Sequence, residues 1–242
     1  MAPVPPPKTS RAKSRGTRHA WAAAMAQTAR RFQRDAMTDP PDRAPAPHAP
    51  APHATVVVFC GATPGNDPAY HQAAEALGAG LARAGIRVVY GGGRIGLMGV
   101  LADAALAAGG QVVGVLPDFL RTTEIAHGAL TRLEITDSMH ARKRRMFELA
   151  DAFVSLPGGI GTLDETIEIL TWRQLGLHTK PILICDIAGS AQALTGAIEA
   201  AIARGFAAPA LRDAYTVIEE VAAVLTRLAD LRPAPSCDGD RL

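Results

Sequence analysis

Two glycine-rich segments of this 242-residue chain have the composition of loops that hold phosphate groups. GGGRIGLMG (91–99) and PGGIGT (157–162) each follow an apolar run typical of a buried strand and precede a helical pattern. Glycine lets the backbone approach an anion closely, and the free N–H groups at a helix N-terminus present partial positive charge to it. One such segment is compatible with a simple tight turn, whereas two on one edge of a sheet favour a phosphate-bearing ligand. Candidates for a phosphate or ribose loop in the first segment are Gly92, Gly93, Gly96 and Met98.

The first segment also matches the G-x-G-x-x-G fingerprint of dinucleotide-binding domains. That fingerprint requires an acidic residue about 20 residues further on, at the end of the next strand, to bind the ribose. Asp118 lies near that position but follows Pro117, beyond the strand, and the segment follows the second predicted strand rather than the first. Neither segment has the lysine of a P-loop. A nicotinamide-dependent oxidoreductase is therefore the weakest of the functions considered.

A basic cluster and an acidic pair supply the candidate chemistry. SMHARKRR (138–145) places cations in the first turns of a predicted helix, where the helix dipole disfavours them, and this indicates a nearby anion. Arg142 and Lys143 could bind that anion together, one through a bidentate fork and the other as a point charge. Asp164 and Glu165 open the helix after the second glycine-rich segment. Acids there commonly stabilise a helix, so Asp164 needs no catalytic role. For Glu165 the sequence is equally compatible with helix stabilisation alone and with a role as general base or stabiliser of positive charge.

Short β-branched runs alternate with helical patterns along the central part of the chain. The predicted strands are 55–60, 86–90, 111–116, 130–136, 152–156, 181–185 and 215–219. This alternation predicts the α/β class and a Rossmann-like, doubly wound parallel sheet in a single domain, 54–231, with functional loops at the carboxyl ends of the strands. The basic, Pro/Ala-rich residues 1–53 and residues 232–242 are predicted to be disordered tails, because they carry too little apolar surface to offset their ordering entropy.

Composition narrows the class of protein further. The formal net charge is only +2, which gives no general reason to expect a nucleic acid or a membrane as a partner. No apolar run approaches the roughly 20 residues that span a bilayer. The three cysteines are scattered without metal-ligand or disulfide spacing, as is typical of a reducing compartment. We predict a cytoplasmic protein with no metal site.

Three stretches closely resemble the Lonely guy family of cytokinin-activating phosphoribohydrolases: GGGRIGLMG, SMHARKRRMFELADAFVSLPGGIGTLDETIEILTW and QLGLHTKPILI. The match includes the family's M-H-x-R-K motif at 139–143 and its P-G-G-x-G-T-x-x-E motif at 157–165, and it covers about Val56 to Val224. The resemblance implies that Arg142 and Glu165 are the catalytic pair. The substrate contacts that it implies are Glu124, Met139, Arg142, Lys143, Gly158, Gly159, Ile160, Gly161, Thr162, Leu163, Asp164 and Thr171.

The resemblance also implies a reaction. The expected protein is a homodimer that cleaves cytokinin riboside 5′-monophosphates, or AMP itself, into free base and ribose 5-phosphate, with no metal or organic cofactor. Many relatives carry a lysine decarboxylase label, but no lysine of this chain stands out as a pyridoxal anchor. The alternative is a non-catalytic nucleotide or cofactor carrier of the same fold, and the presence of both Arg142 and Glu165 favours the enzyme. The choice between a cytokinin nucleotide and AMP stays open at this stage.

Overall fold

Aliphatic and β-branched runs form the strands of one parallel sheet. The computed structural model describes residues 52–121 and 126–231, and within them the sheet has seven strands. They are β1 (Ala54–Phe59), β2 (Ile86–Tyr90), β3 (Val112–Pro117), β4 (Arg132–Thr136), β5 (Ala152–Ser155), β6 (Ile182–Cys185) and β7 (Thr216–Ile218). The five central strands are almost wholly buried, as expected for strands that helices cover on both faces.

Six α-helices of the described residues cover this sheet in two layers. They are α1 (Pro68–Arg83), α2 (Gly96–Ala107), α3 (Met139–Leu149), α4 (Ile160–Gln174), α5 (Gln192–Ala203) and α6 (Val221–Leu228). Apolar residues of α1, α2 and α6 form one core with the sheet, around Leu77 and Leu101. Those of α3, α4 and α5 form a second core, around Phe147 and Ile169. These two layers confirm the predicted α/β class and the doubly wound parallel sheet.

The strand order β4-β3-β2-β1-β5-β6-β7 reverses at β1. On one side β1 pairs with β2, and on the other its Val56 and Phe59 pair with Ala152 and Ser155 of β5. In a doubly wound sheet the ligand crevice lies at such a reversal, outside the carboxyl ends of the two strands. The turns that follow β1 and β5 are therefore the expected walls of a site.

The ends of the two helices that carry the candidate residues follow local sequence rules, with one difference from prediction. Helix α3 begins after Ser138, whose hydroxyl accepts a hydrogen bond from the Ala141 N–H at 3.1 Å and so caps the helix. Helix α4 begins at Ile160, inside the segment 157–162 that the sequence predicts to be a loop, and Gly159 serves as its N-cap with an extended backbone. Ile160 and Gly161 therefore belong to the first helical turn and not to the loop.

Some predictions concern residues outside the described ranges. The proposed substrate contact Glu124 and most of both predicted tails lie there, so the domain boundaries stay predictions. Among the helices that the structure describes, none is long and apolar enough to cross a membrane. The described residues also contain no group of three or more His, Cys, Asp or Glu side chains arranged to hold a metal ion.

Candidate active site

A cleft of about 260 Å³ opens where β1, β2 and β5 end. Two of the turns around it are the glycine-rich segments, and the third is the turn after β1, which the sequence reasoning did not single out. Its signal is a glycine directly after the first buried strand, in Cys60-Gly61-Ala62-Thr63. The residues that line the cleft are Val58, Phe59, Cys60, Ala62, Thr63, Gly91, Met98, Arg142, Gly159, Gly161, Thr162 and Glu165.

The turns after β1 and β5 contact each other through their backbones. The Gly61 N–H donates to the Pro157 carbonyl at 3.0 Å. A Cβ on Gly61 would lie 3.4 Å from the Gly158 Cα, and a Cβ on Gly158 would lie 2.9 Å from the Gly61 nitrogen. A Cβ on Gly158 would press against the turn after β1, whereas a Cβ on Gly61 would clash with the Thr63 carbonyl of its own turn at 2.8 Å. The close approach of the two turns therefore depends on glycine at position 158.

The start of α2 closes the third side through another glycine. Gly96 has φ +62°, and a Cβ there would overlap the backbone of Ala62 and Thr63. The Met98 N–H then reaches the Gly61 carbonyl at 3.3 Å. The backbone of the first glycine-rich segment therefore packs closely against the turn after β1, and the Met98 side chain lines the cleft.

The N-terminus of α4 supplies the region best suited to an anion. Gly159 has no side chain to cap the helix, and the first N–H groups of any α-helix have no intrahelical acceptor. Gly159, Gly161 and Thr162 line the cleft, so this helix end borders its open space. The Ile160 side chain is 81% exposed and is not part of the cleft lining among the described residues. Such a helix end is suited to a phosphate.

Arg142 reaches the cleft from α3 and is held by the sheet. Its Nε donates to the Val115 carbonyl of β3 at 3.1 Å, and its Nη1 lies 3.9 Å from the sulfur of Met139. Its Nη2 passes so close to Gly91 that a Cβ on this glycine would overlap it. The side chain is buried, so backbone contacts fix the guanidinium in one place.

Glu165 faces Arg142 across the cleft. Its Oε1 lies 3.5 Å from Nη2 of Arg142, and the side chain is buried. A pair of hydroxyl groups anchors this part of α4 to the sheet, because Oγ1 of Thr166 lies 2.8 Å from Oγ of Ser155 in β5. The same Thr166 hydroxyl donates to the Thr162 carbonyl within the helix at 2.6 Å. Sequence reasoning missed Ser155 and Thr166, since serine and threonine occur in many unrelated settings. The pair fixes the helical turn that carries the carboxylate.

Cys60 lines the same cleft but is not a ready nucleophile. Burial raises the pKa of its thiol strongly, and the negative charge of Glu165 raises it further. The reactive form of cysteine is the thiolate. The thiol therefore acts as a small, protonated wall of the cleft.

Lys143 turns away from the cleft and pairs with two acids of α4. Its Nζ lies 3.0 Å from Asp164 and 3.0 Å from Glu168. Burial lowers the pKa of this lysine, but the hydrogen bonds to Glu168 and Asp164 outweigh that effect, so its pKa is raised overall. Among the described residues, Lys143 and Asp164 are not part of the cleft lining. Together they link α3 to α4 beside the Arg142–Glu165 contact.

The remaining predicted site residues within the described ranges are not part of the cleft lining. Gly92 has φ +82° and, with Gly93, shapes the turn after β2. Leu163 packs against the core under α4. Thr171 is exposed, and its hydroxyl donates to the Ile167 carbonyl at 2.8 Å.

The chain is similar to proteins whose activity is defined. Residues 98–228 match a family described as possible lysine decarboxylase. The chain is 48% identical over 168 residues to a cytokinin riboside 5′-monophosphate phosphoribohydrolase of Rhodococcoides fascians, covering 69% of this chain and 85% of the relative. It is 38% identical over 178 residues to an Arabidopsis thaliana protein of the same name, covering 74% and 84%.

Solved structures with the same fold include proteins of other functions. A molybdenum cofactor carrier protein of Chlamydomonas reinhardtii superposes with a TM-score of 0.55 at 21% identity, covering 74% of this chain and 97% of the carrier. A structural-genomics target solved by X-ray diffraction gives a TM-score of 0.56 at 25% identity, covering 72% and 98%. The likeness to the carrier shows the shared fold alone.

Proposed function

Because the chain belongs to the Lonely guy family of cytokinin riboside 5′-monophosphate phosphoribohydrolases, we propose that it hydrolyses the N-glycosidic bond of a purine nucleoside 5′-monophosphate. The products are the free base and ribose 5-phosphate. The observation that carries the proposal is a buried carboxylate, Glu165, held 3.5 Å from Arg142 in a cleft beside an uncapped helix N-terminus. A carboxylate beside an anion site suits cleavage of a nucleotide's sugar–base bond, because it can stabilise the positive charge that develops on the ribose.

The phosphate end of the substrate docks at the N-terminus of α4. The backbone of residues 158–162 has the glycine content and the free N–H groups for this contact. Binding energy gained there, away from the reacting bond, fixes the ribose relative to Glu165. The turn after β1 and the side chain of Met98 then border the rest of the nucleotide.

Glu165 acts on the sugar as the C1′–N9 bond breaks. The ribose develops oxocarbenium character, as in glycoside hydrolysis, and an ionised carboxylate stabilises that charge. The same carboxylate accepts a proton from the attacking water, whose oxygen forms the new bond to C1′. The bonding electrons leave with the purine, which takes up a proton from solvent water as it departs, and Glu165 later returns its proton to the solvent. Arg142 positions Glu165 through the contact between Nη2 and Oε1 and borders the sugar side of the cleft.

The direct test follows base release by chromatography after incubation with AMP and with isopentenyladenosine 5′-monophosphate. Glu165→Gln keeps the size of the side chain but removes its charge, so it should abolish release while nucleotide binding persists in calorimetry. Glu148→Gln, which removes an acid on the exposed side of α3, should release base at the wild-type rate. Absence of base release from any purine monophosphate by the wild type would overturn the proposal. Tight AMP binding without turnover would favour the carrier alternative.

The substrate class within this reaction is a further part of the proposal. The two relatives described above are named for cytokinin riboside 5′-monophosphates, and we take an N6-modified adenine nucleotide as the preferred substrate and AMP as the weaker one. The measurement is kcat/KM for the two nucleotides under identical conditions. A higher value for AMP would reverse the assignment.

The exposed side of α4 supports a homodimer. Ile160, Ile167 and Leu175 are 81%, 50% and 68% exposed, and their spacing places them on one stripe of the helix. Exposed apolar stripes of this kind mark association surfaces, and Thr171 lies on the same stripe. We propose that a second copy of the chain covers it. On this arrangement Thr171, which is outside the cleft of its own chain, lies at the subunit interface.

A further inference from the structure

Two buried polar residues lie in the segment between α4 and β6. His178 and Lys180 are 5% and 7% exposed, while Thr179 between them is exposed. Neither residue belongs to the cleft lining among the described residues. Burying a polar or charged side chain is unfavourable unless it forms specific bonds, so the bonds that these two residues make indicate their role.

His178 bonds the helix that carries Glu165. Its Nε2 lies 2.9 Å from the Ile169 carbonyl, and since a carbonyl only accepts, the ring donates through Nε2–H. Ile169 lies one helical turn beyond Glu165 on the buried face of α4. The other ring nitrogen, Nδ1, is buried with no hydrogen-bond partner in the described part of the chain. The neutral ring is therefore fixed in one tautomer by a bond to α4.

Lys180 bonds the helix that carries Arg142. Its Nζ donates to the Phe147 carbonyl near the end of α3 at 2.8 Å and lies 4.2 Å from the centroid of the Phe147 ring. The Phe147 ring also packs edge-on against His178, with centroids 5.2 Å apart. Two residues of one short segment, separated only by Thr179, thus hold α3 and α4 through the backbones of these helices.

The cluster around these bonds reaches the back of the site. A void of about 10 Å³ is lined by Glu165 and also by Phe147, Ile169 and Trp172. The two backbone carbonyls held by His178 and Lys180 belong to two of these residues. A shift of either helix at the segment therefore displaces residues that line the same void as Glu165.

Building on the proposed hydrolase function, we propose that His178 and Lys180 are positioning residues that set the spacing of α3 and α4, and with it the approach of Arg142 to Glu165. The effect of Lys180 falls mainly on the chemical step, because Lys180 bonds α3, which carries Arg142, whereas the phosphate region lies at the N-terminus of α4 beside glycine turns that separate contacts hold. Displacement of a reacting group by about 1 Å costs up to roughly 100-fold in rate.

Lys180→Met tests this directly, because it keeps an apolar chain of similar length and removes the bond to Phe147. We expect kcat for base release to fall by about tenfold or more while KM changes less than about twofold, with partial recovery in Lys180→Arg. Thr179→Ala is the matched control in the same segment and should keep wild-type kcat and KM. A Lys180→Met enzyme with unchanged kcat would overturn the proposal, as would a fall in activity equal to the fall in folded fraction.

A second measurement is independent of activity. Hydrogen–deuterium exchange should rise in peptides covering 139–149 and 160–174 of Lys180→Met, and not in those of Thr179→Ala. Unchanged exchange in both helices would also overturn the proposed spacing role. If wild-type protein releases no base, the hydrolase function fails, and the exchange result still decides whether these residues hold the two helices.

Discussion

Replacing Gly91 by alanine should lower kcat by about 10- to 100-fold while the fold stays intact. An ideal Cβ at this position overlaps Nη2 of Arg142 and lies 3.0 Å from the sulfur of Met98. The backbone of Gly91 is outside the left-handed region, so alanine brings no backbone strain. The perturbation is a steric push on the guanidinium.

The expected fall in kcat follows from the contacts that hold the Arg142 side chain and from the distance that its Nη2 must move. Its Nε is bonded to the Val115 carbonyl at 3.1 Å, and the side chain is buried. Restoring an ordinary contact of about 3.5 Å displaces Nη2 by roughly 1 Å. Nη2 is the atom that lies 3.5 Å from Glu165. A loss of 100-fold in rate corresponds to about 2.7 kcal/mol of transition-state stabilisation.

The assay measures kcat and KM for base release, with thermal unfolding recorded on the same samples. Gly196→Ala is the matched control, because a Cβ there meets nothing within 4 Å. In the interior of α5 it should stabilise the protein by about 0.5–1 kcal/mol and leave kcat unchanged. Wild-type kcat and KM in the Gly91→Ala enzyme would refute the role assigned to the guanidinium position.

Three further outcomes test other contacts. Ser138→Ala removes the cap of α3 and should lower the free energy of unfolding in urea by about 1 kcal/mol, whereas Ser138→Asp should retain it. Ile167→Glu should yield monomers by light scattering if α4 forms the dimer interface, and a persistent dimer would exclude that surface. Burial lowers the pKa of His178 more than its bond to Ile169 raises it. As the pH falls, this histidine is therefore protonated in the unfolded chain before it is protonated in the folded one. Stability should therefore fall as the pH drops through about 6.5, and a thermal-melt series in which His178→Gln keeps the same pH slope would contradict this.

The sequence predicts the elements well because their patterns are local. Buried β-branched strands and glycine turns depend on neighbouring residues, and the structure confirms the α/β class built from them. The role of the turn after β1 depends on a non-local fact, since the strand order reverses at β1 only when β5 pairs beside it. No local pattern at Gly61 or Thr63 reports that pairing.

The different surroundings of Arg142 and Lys143 show a second limit. Their adjacency suggested a shared anion, but neighbouring residues of a helix point about 100° apart. Arg142 therefore faces the cleft, while Lys143 faces Asp164 and Glu168. The packing of α3 against β3 determines that Arg142, and not Lys143, faces the cleft. The pattern of charges in the sequence does not encode this packing. The roles of the individual site residues remain predictions for the variants above to test.

The reversal at β1 also has a consequence for synthesis on the ribosome. Thr55 donates its N–H to Asp151, 96 residues further along the chain, so the second edge of β1 gains its neighbour only after β5 has emerged. At about 5–20 residues per second, that delay is on the order of 5–20 s. Throughout it, a strand of apolar residues carries an open edge, the kind of surface that recruits other chains. The arrangement that creates the crevice therefore exposes the partly synthesised chain to aggregation until β5 follows.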